Sequence, residues 1–195
     1  MKTLVITGGS KGIGLATARL FAAEGYRVVN ISRSPIALAN AVQLGIDIAE
    51  PDWALRHGEA VRAAVAGSES IALVHNAGLL TKDSVASVEA AALHRSLQGN
   101  VVACVQLDQL LLPLMGAGSS IVYVGSTLGE KAVAGSCAYV VSKHALIGLM
   151  RATCQDLAGR GIHTVCVCPG FTDTEMLHAH VGHASEVLEL LAAGV

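Results

Sequence analysis

The run TLVITGGSKGIGLATARLFAAEG at residues 3–25 constrains the fold of this chain more than any other segment. Residues 3–8 are mostly apolar and β-branched and read as a strand, while residues 13–24 carry a helical pattern. Between them stand Gly8, Gly12 and Gly14, with Ser10, Lys11 and Ile13 interspersed. Glycine permits a tight turn and a close backbone approach, and a helix N-terminus presents unpaired N–H groups to an anion. Strand, glycine turn and helix in that order predict a phosphate cradle. The flanking elements carry the inference, because a glycine-rich loop alone is ambiguous.

A second pattern lies in the other half of the chain. Tyr139 and Lys143 are four apart in AYVVSKHAL, which reads as the first turns of a helix, so both project from one face. A phenol is a weak proton exchanger near neutral pH, and an ammonium beside it favours the phenolate, so Lys143 is expected to pull the Tyr139 pKa down. Ser126 ends the apolar run SSIVYVGS, where a strand delivers a hydroxyl to the lip of a sheet. The three residues suggest proton transfer at a carbonyl or alcohol oxygen. Taken alone, a Tyr-x-x-x-Lys pair is equally what packing and solvation place on a helix.

Taken together, these motifs resemble the short-chain dehydrogenases/reductases. The family pattern T-G-x-x-x-G-x-G matches Thr7 to Gly14 without a gap, and its N-N-A-G turn is similar to His75, Asn76, Ala77 and Gly78, with His replacing the first Asn. The family's Asn, Ser, Tyr, Lys tetrad falls on Asn100, Ser126, Tyr139 and Lys143, and its P-G turn and following Thr on Pro169, Gly170 and Thr174, with Thr172 between. The resemblance covers residues 3–176 and implies a Rossmann fold, a nicotinamide cofactor and hydride transfer, with Tyr139 as general acid/base. Lys143 would hold the nicotinamide ribose and tune Tyr139, Ser126 would fix the substrate oxygen, and Asn100 would interrupt a helix and bind a water. On sequence alone Asn100 could as well be a polar residue solvating a helix face. His75 reads as a structural substitution rather than a new catalytic group.

Charge bears on the choice of cofactor. Where an NAD enzyme places an acid after the second strand, this chain has Ser32 followed by Arg33, and Lys11 adds a cation in the glycine loop. NADP(H) is therefore favoured, with NAD(H) as the alternative. Both cations also suit a plain solvated surface. Asp47 and Ile48 are similar to the pair that meets the adenine in the family, although a solvated turn explains Asp47 nearly as well.

The remaining sequence alternates strands, expected at 3–8, 27–32, 45–48, 71–76, 119–125 and 163–168, with helices at 13–24, 52–66, 85–114, 138–159 and 184–193. That order predicts an α/β doubly wound parallel sheet, one domain over residues 1–195, with ligands at the carboxyl ends of the strands. A composition of 52% hydrophobic residues, a net charge of −2 and no basic cluster give no support for nucleic-acid binding. The stretch VVACVQLDQLLLPLM is too short and too polar to span a bilayer, and no signal peptide is visible, so a cytoplasmic protein is expected. Five cysteines within apolar elements read as small buried hydrophobes. His178, His180 and His183 do not share one face, so no metal site is expected. The helices at 85–114 and 138–159 are the surfaces through which the family resemblance implies a homodimer. The chain is shorter at the carboxyl end than the family pattern. A small carbonyl or alcohol substrate is the leading expectation, and a cofactor-binding regulatory or scaffold protein with little turnover is the rival.

Overall fold

The computed structural model describes residues 1–181, so the helix expected at 184–193 and His183 lie outside the described residues. Six strands, β1 (Lys2–Thr7), β2 (Arg27–Ile31), β3 (Val42–Leu44), β4 (Ser70–His75), β5 (Ser120–Val124) and β6 (His163–Val167), form one sheet in the order β3-β2-β1-β4-β5-β6. Every pairing is parallel. Helices α1 (Gly12–Ala23), α2 (Trp53–Ala64), α3 (Ala90–Leu97), α4 (Ala103–Leu111), α5 (Cys137–Asp156) and α6 (Glu175–Val181) supply the crossovers and the last described segment. This is the doubly wound Rossmann arrangement. Strand order reverses between β1 and β4, which opens a crevice at their carboxyl ends.

Strand periodicity sorts the core into two layers. Leu4, Ile6, Val28, Ala72 and Val74 pack with Ala18 of α1 on one face. Val5, Val29, Ile71, Leu73, Ile121 and Tyr123 point to the other face, where Trp53, Leu107, Leu111 and Leu146 bring in α2, α4 and α5. The strands in the middle of the sheet are buried on both faces, as the continuous apolar runs predict. Edge strand β6 differs, with Val165 and Val167 47% and 50% exposed. Among the described residues no helix is long and apolar enough to cross a membrane.

Two expected elements shift. The third strand forms at Val42–Leu44 rather than 45–48, because Gln43 anchors it: its side-chain NH2 donates to Ser32 O and its carbonyl accepts from Asn30 Nδ2. Ile46 N–H then turns back to Leu44 O, which ends the strand and leaves Asp47 and Ile48 in the turn beyond it. The helix expected at 85–114 begins at Ala90 and is interrupted by a π-helical turn over Gln98–Val102, and its last turn, carrying Pro113, is 3₁₀. The cysteines also divide: Cys104 is buried, Cys137, Cys166 and Cys168 are half-buried, and Cys154 is exposed, against the expectation of uniform burial.

His75 ends β4 at 2% exposure and gives its Nε2 to Asp108 Oδ1 of α4 at 2.8 Å. Tyr123 of β5 stacks on the imidazole and donates to Asp108 Oδ2 at 2.6 Å, and Thr153 of α5 lies 3.1 Å from the phenol oxygen. Burial opposes the charged ring, but Cys104 and Asp108 outweigh it and raise the His75 pKa to about 10. The charged form is thus held by the folded state alone, and the network ties two strands to two helices.

A raised folded pKa contributes stability that is complete below the ordinary 6.5 and is lost as pH rises through about 10. Urea unfolding should therefore show declining stability across that range. Asp108→Ala should remove the decline and cost about 3 kcal/mol at neutral pH, since it strips a buried cation of its partner.

Candidate active site

The glycine turn, the turn at Asn76, Ser126 and the turn at Pro169 follow the carboxyl ends of β1, β4, β5 and β6, while Asn100, Tyr139 and Lys143 come from helical segments. After β1, Gly8 and Gly12 adopt φ of +67° and +50°, in the left-handed region that favours glycine. A Cβ on Gly14 would come within 2.4 Å of both Asn76 Nδ2 and Gly8 O, so the start of α1 can approach β4 only without a side chain there. Thr7 Oγ1 accepts from the N–H groups of Asn76 and Ala77, and Asn76 Nδ2 donates to Thr7 O and Gly8 O. Gly9 N–H is fixed by Asn30 Oδ1. Lys11, at the N-cap of α1 and extended, gives no side-chain cap to the first turn, and Ile13 follows inside the helix. The first-turn N–H groups thus have no side-chain acceptor at the cap, which fits a dinucleotide pyrophosphate.

The residues expected at the adenosine end are close but paired with one another. Ser32 bonds Asn30, Ser10 and Ser34 O, while the Arg33 guanidinium lies 3.9 Å from Asp47 Oδ2. Arg95 of α3 approaches the same carboxylate at 3.7 Å, a contact the sequence did not suggest. Asp47 also accepts from Ala49 N–H, holding Ile48 in a tight turn. On the opposite rim, Lys11 pairs with Glu175 of α6, and Thr174 Cγ2 would stand 3.1 Å from a Cβ on Gly12. The turn through Pro169, Gly170 and Thr172 therefore leads α6 back over the glycine loop. His178, read from sequence in a histidine cluster, pairs with Asp173 at 2.7 Å.

Ser126, Tyr139 and Lys143 converge where β5 meets α5. Ser126 is 8% exposed, caps a short 3₁₀ turn by accepting from Leu128 N–H, and lies near enough to the Tyr139 phenol to act on its pKa. Lys143, only 3% exposed, donates from Nζ to Val124 O at 2.7 Å and lies 5.5 Å from the centre of the Tyr139 ring. The expected lowering of the phenol pKa by the ammonium is not found. Burial raises it, and the Ser126 hydroxyl opposes that rise. Burial likewise lowers the Lys143 pKa, against the attraction of the Cys104, Cys166 and Cys168 sulfurs. Gly78 leaves room beside the pair: a Cβ there would be 3.7 Å from Lys143 Nζ and 3.8 Å from Asn100 Oδ1.

Asn100 sits in the π-helical turn and spends its amide on its neighbours. Oδ1 accepts from Leu79 N–H at 2.7 Å, and Nδ2 donates to Leu79 O and to Ser142 Oγ. Ser142 in turn donates to Tyr139 O, so Asn100 is joined to the backbone of α5. Sequence reasoning missed Asp83. Its Oδ1 accepts from Ala138 N–H and its carbonyl oxygen from Cys137 N–H, capping α5 one residue before Tyr139. A hydrogen bond from Thr81 is the largest influence holding the Asp83 carboxyl below its usual range. No local signal announces this cap, because it reaches α5 from a distant loop.

The sequence profile of the short chain dehydrogenase family matches residues 2–183. The chain is 36% identical over 182 residues to ketoacyl reductase HetN of Nostoc sp., covering 87% of this chain and 63% of that protein's length. Human 3-oxoacyl-[acyl-carrier-protein] reductase is 33% identical over 186 residues, 90% of this chain and 77% of the other. A short chain dehydrogenase from Burkholderia cenocepacia, solved in complex with NADP, superposes with a TM-score of 0.83 at 31% identity, covering 95% of this chain and 80% of that one.

Asn100→Ala would leave Leu79 N–H, Leu79 O and the Ser142 hydroxyl without their side-chain partner. The expected cost is about 2 kcal/mol by urea unfolding. Hydrogen exchange should quicken at Leu79 and in the first turns of α5 more than in β1.

Proposed function

Because the chain belongs to the short chain dehydrogenase family, we propose that it is an NADP(H)-dependent oxidoreductase that acts at a small carbonyl or alcohol. The observation that carries this reading is the meeting of Ser126, Tyr139 and Lys143 beside the crevice that begins at the glycine turn. The positive-φ glycines, the α1 N-terminus and the space at Gly78 suit a nicotinamide dinucleotide running from Gly12 toward Lys143. When bound, that group supplies hydride donation and acceptance. Names among the relatives, ketoacyl reductase and 3-oxoacyl-[acyl-carrier-protein] reductase, support a carbonyl as the oxidised substrate.

In this reading Tyr139 gives its phenolic proton to the substrate oxygen during reduction and recovers one during oxidation. Ser126 donates to the same oxygen and steadies the charge that develops there. Lys143 binds ribose hydroxyls with the donor capacity not used by Val124 O, and Asn100 holds the loop carrying Leu79 against α5. Arg33 and Lys11 meet the 2′-phosphate. Both cations are exposed, Glu175 is exposed and Asp47 half-buried, and such pairs near the surface contribute at most about 1 kcal/mol, so releasing either cation costs little. A regulator with little turnover would need no such acid–base set. Two chains pair through α3–α4 and α5, where Val102 and Val141 are each 42% exposed.

Fluorescence titration should give tighter binding of NADPH than of NADH, and Arg33→Ala should weaken NADPH about tenfold with little change for NADH. Tyr139→Phe should retain nucleotide binding and lose turnover on any carbonyl the wild-type chain reduces. Equal affinity for the two nucleotides would remove the NADP preference. Turnover by Tyr139→Phe would remove the assigned acid.

The raised Tyr139 pKa fixes the sign of the pH dependence. Reduction uses the protonated phenol, so its rate should hold through neutral pH and fall in alkali. Oxidation needs the phenolate and should rise with pH from 7 to 10.

A further inference from the structure

Two thiols outside the proton-transfer set stand side by side at the end of β6. Cys166 and Cys168 are two residues apart in extended chain, which places them on one face, and their sulfurs are 3.6 Å apart. Both are free and half-buried. They lie against Gly125, the residue before Ser126: a Cβ there would meet Cys166 Sγ at 2.7 Å and Cys168 Sγ at 3.0 Å. Gly125 N–H donates to Val167 O, so the strand bearing the thiols is tied to the strand end bearing Ser126.

We propose that Cys166 and Cys168 form a dithiol site that captures trivalent organoarsenicals beside the catalytic strand end. Three chemistries are open to two adjacent thiols, and the geometry separates them. Closing to a disulfide would bring the sulfurs from 3.6 Å to about 2.05 Å across a single intervening residue. It would also need an oxidant to take up two electrons, and the thiol form is the one the fold favours, since burial, reinforced by Cys168, pushes the Cys166 thiol up to about 11. A structural zinc ion takes four ligands, and among the described residues no group of three or more His, Cys, Asp or Glu side chains is placed to hold a metal. An arsenic(III) centre that carries one organic group has two bonds left to make. Two sulfurs on a tetrahedral zinc with bonds of ~2.3 Å stand ~3.8 Å apart; a pyramidal arsenic(III) centre, with narrower S–As–S angles, holds them closer, in keeping with the observed 3.6 Å.

The reaction balances without an oxidant. An arylarsine oxide meets two S–H groups, two As–S bonds form, and the oxide oxygen leaves with both protons as one water. Arsenic stays trivalent and both sulfurs keep their oxidation state. Cys104, Cys137 and Cys154 have no thiol partner among the described residues, so each could form only a single, readily exchanged As–S bond.

The test is titration of the reduced full-length chain with phenylarsine oxide, read by intact mass and by tryptic mapping, and independent of any enzymatic activity. The expected result is one adduct per chain, on the peptide that follows Arg160, which holds Cys166 and Cys168 and no other cysteine. It should withstand excess monothiol and be released by a dithiol. Cys166→Ser and Cys168→Ser should each make any remaining adduct labile to monothiol, while the combined serine variant of Cys104, Cys137 and Cys154 should bind as the wild type does. An adduct mapped to another peptide, or a wild-type adduct stripped by monothiol, overturns the proposal, and both readings use the unmutated chain.

Discussion

The architecture turns on a local problem at the carboxyl ends of β1 and β4. The ladder stops there, and buried backbone groups left without partners would each cost about 1–3 kcal/mol. Thr7 and Asn76 solve this reciprocally, one hydroxyl receiving two amide N–H groups and one carboxamide serving two carbonyls. The same contacts bring Gly14 so close that no Cβ fits. Crevice, glycine turn and helix start are therefore one packed unit rather than three features that happen to coincide.

On the far side of β4 the support is ionic. His75, Asp108, Tyr123 and Thr153 form a buried polar chain through β4, α4, β5 and α5. Such a chain suits a core only when each member is satisfied, and the contacts here meet that requirement. It holds β5 and α5, which carry Ser126, Tyr139 and Lys143, in register with the strand next to the crevice. The substitution at His75 is thus absorbed by an acid from α4 rather than left as a defect.

Much of this was legible in the sequence, because the signals were local. The strand–glycine–helix run, the four-residue spacing of Tyr139 and Lys143 and the apolar strand cores are short-range patterns that parallel sheets reproduce closely. What escaped depends on residues far apart in the chain. Asp83 caps a helix that begins 54 positions later, Gln43 fixes a strand through Asn30 and Ser32, and Asp108 finds its role only beside His75. The direction of the Tyr139 pKa was also hidden. Spacing places an ammonium nearby, but burial decides which influence is larger, and burial is a property of the fold.

The π-helical turn at Gln98–Val102 bears on which length changes the chain could accept. A π turn accommodates a residue more than an α-helix would use, and here the surplus lets Asn100 face Leu79 and Ser142. Deleting one residue from it would restore regular helix and leave the residues beyond on the faces they already occupy, because the surplus is absorbed within the turn. Cys104, Leu107, Asp108 and Leu111 would keep their face toward the sheet and Asp108 its contact with His75, so the loss would fall on the placement of the Asn100 carboxamide. Drift in length should thus be far freer in the exposed turn at 116–118 than in this one, where a single codon lost would sever the link between the Leu79 loop and α5.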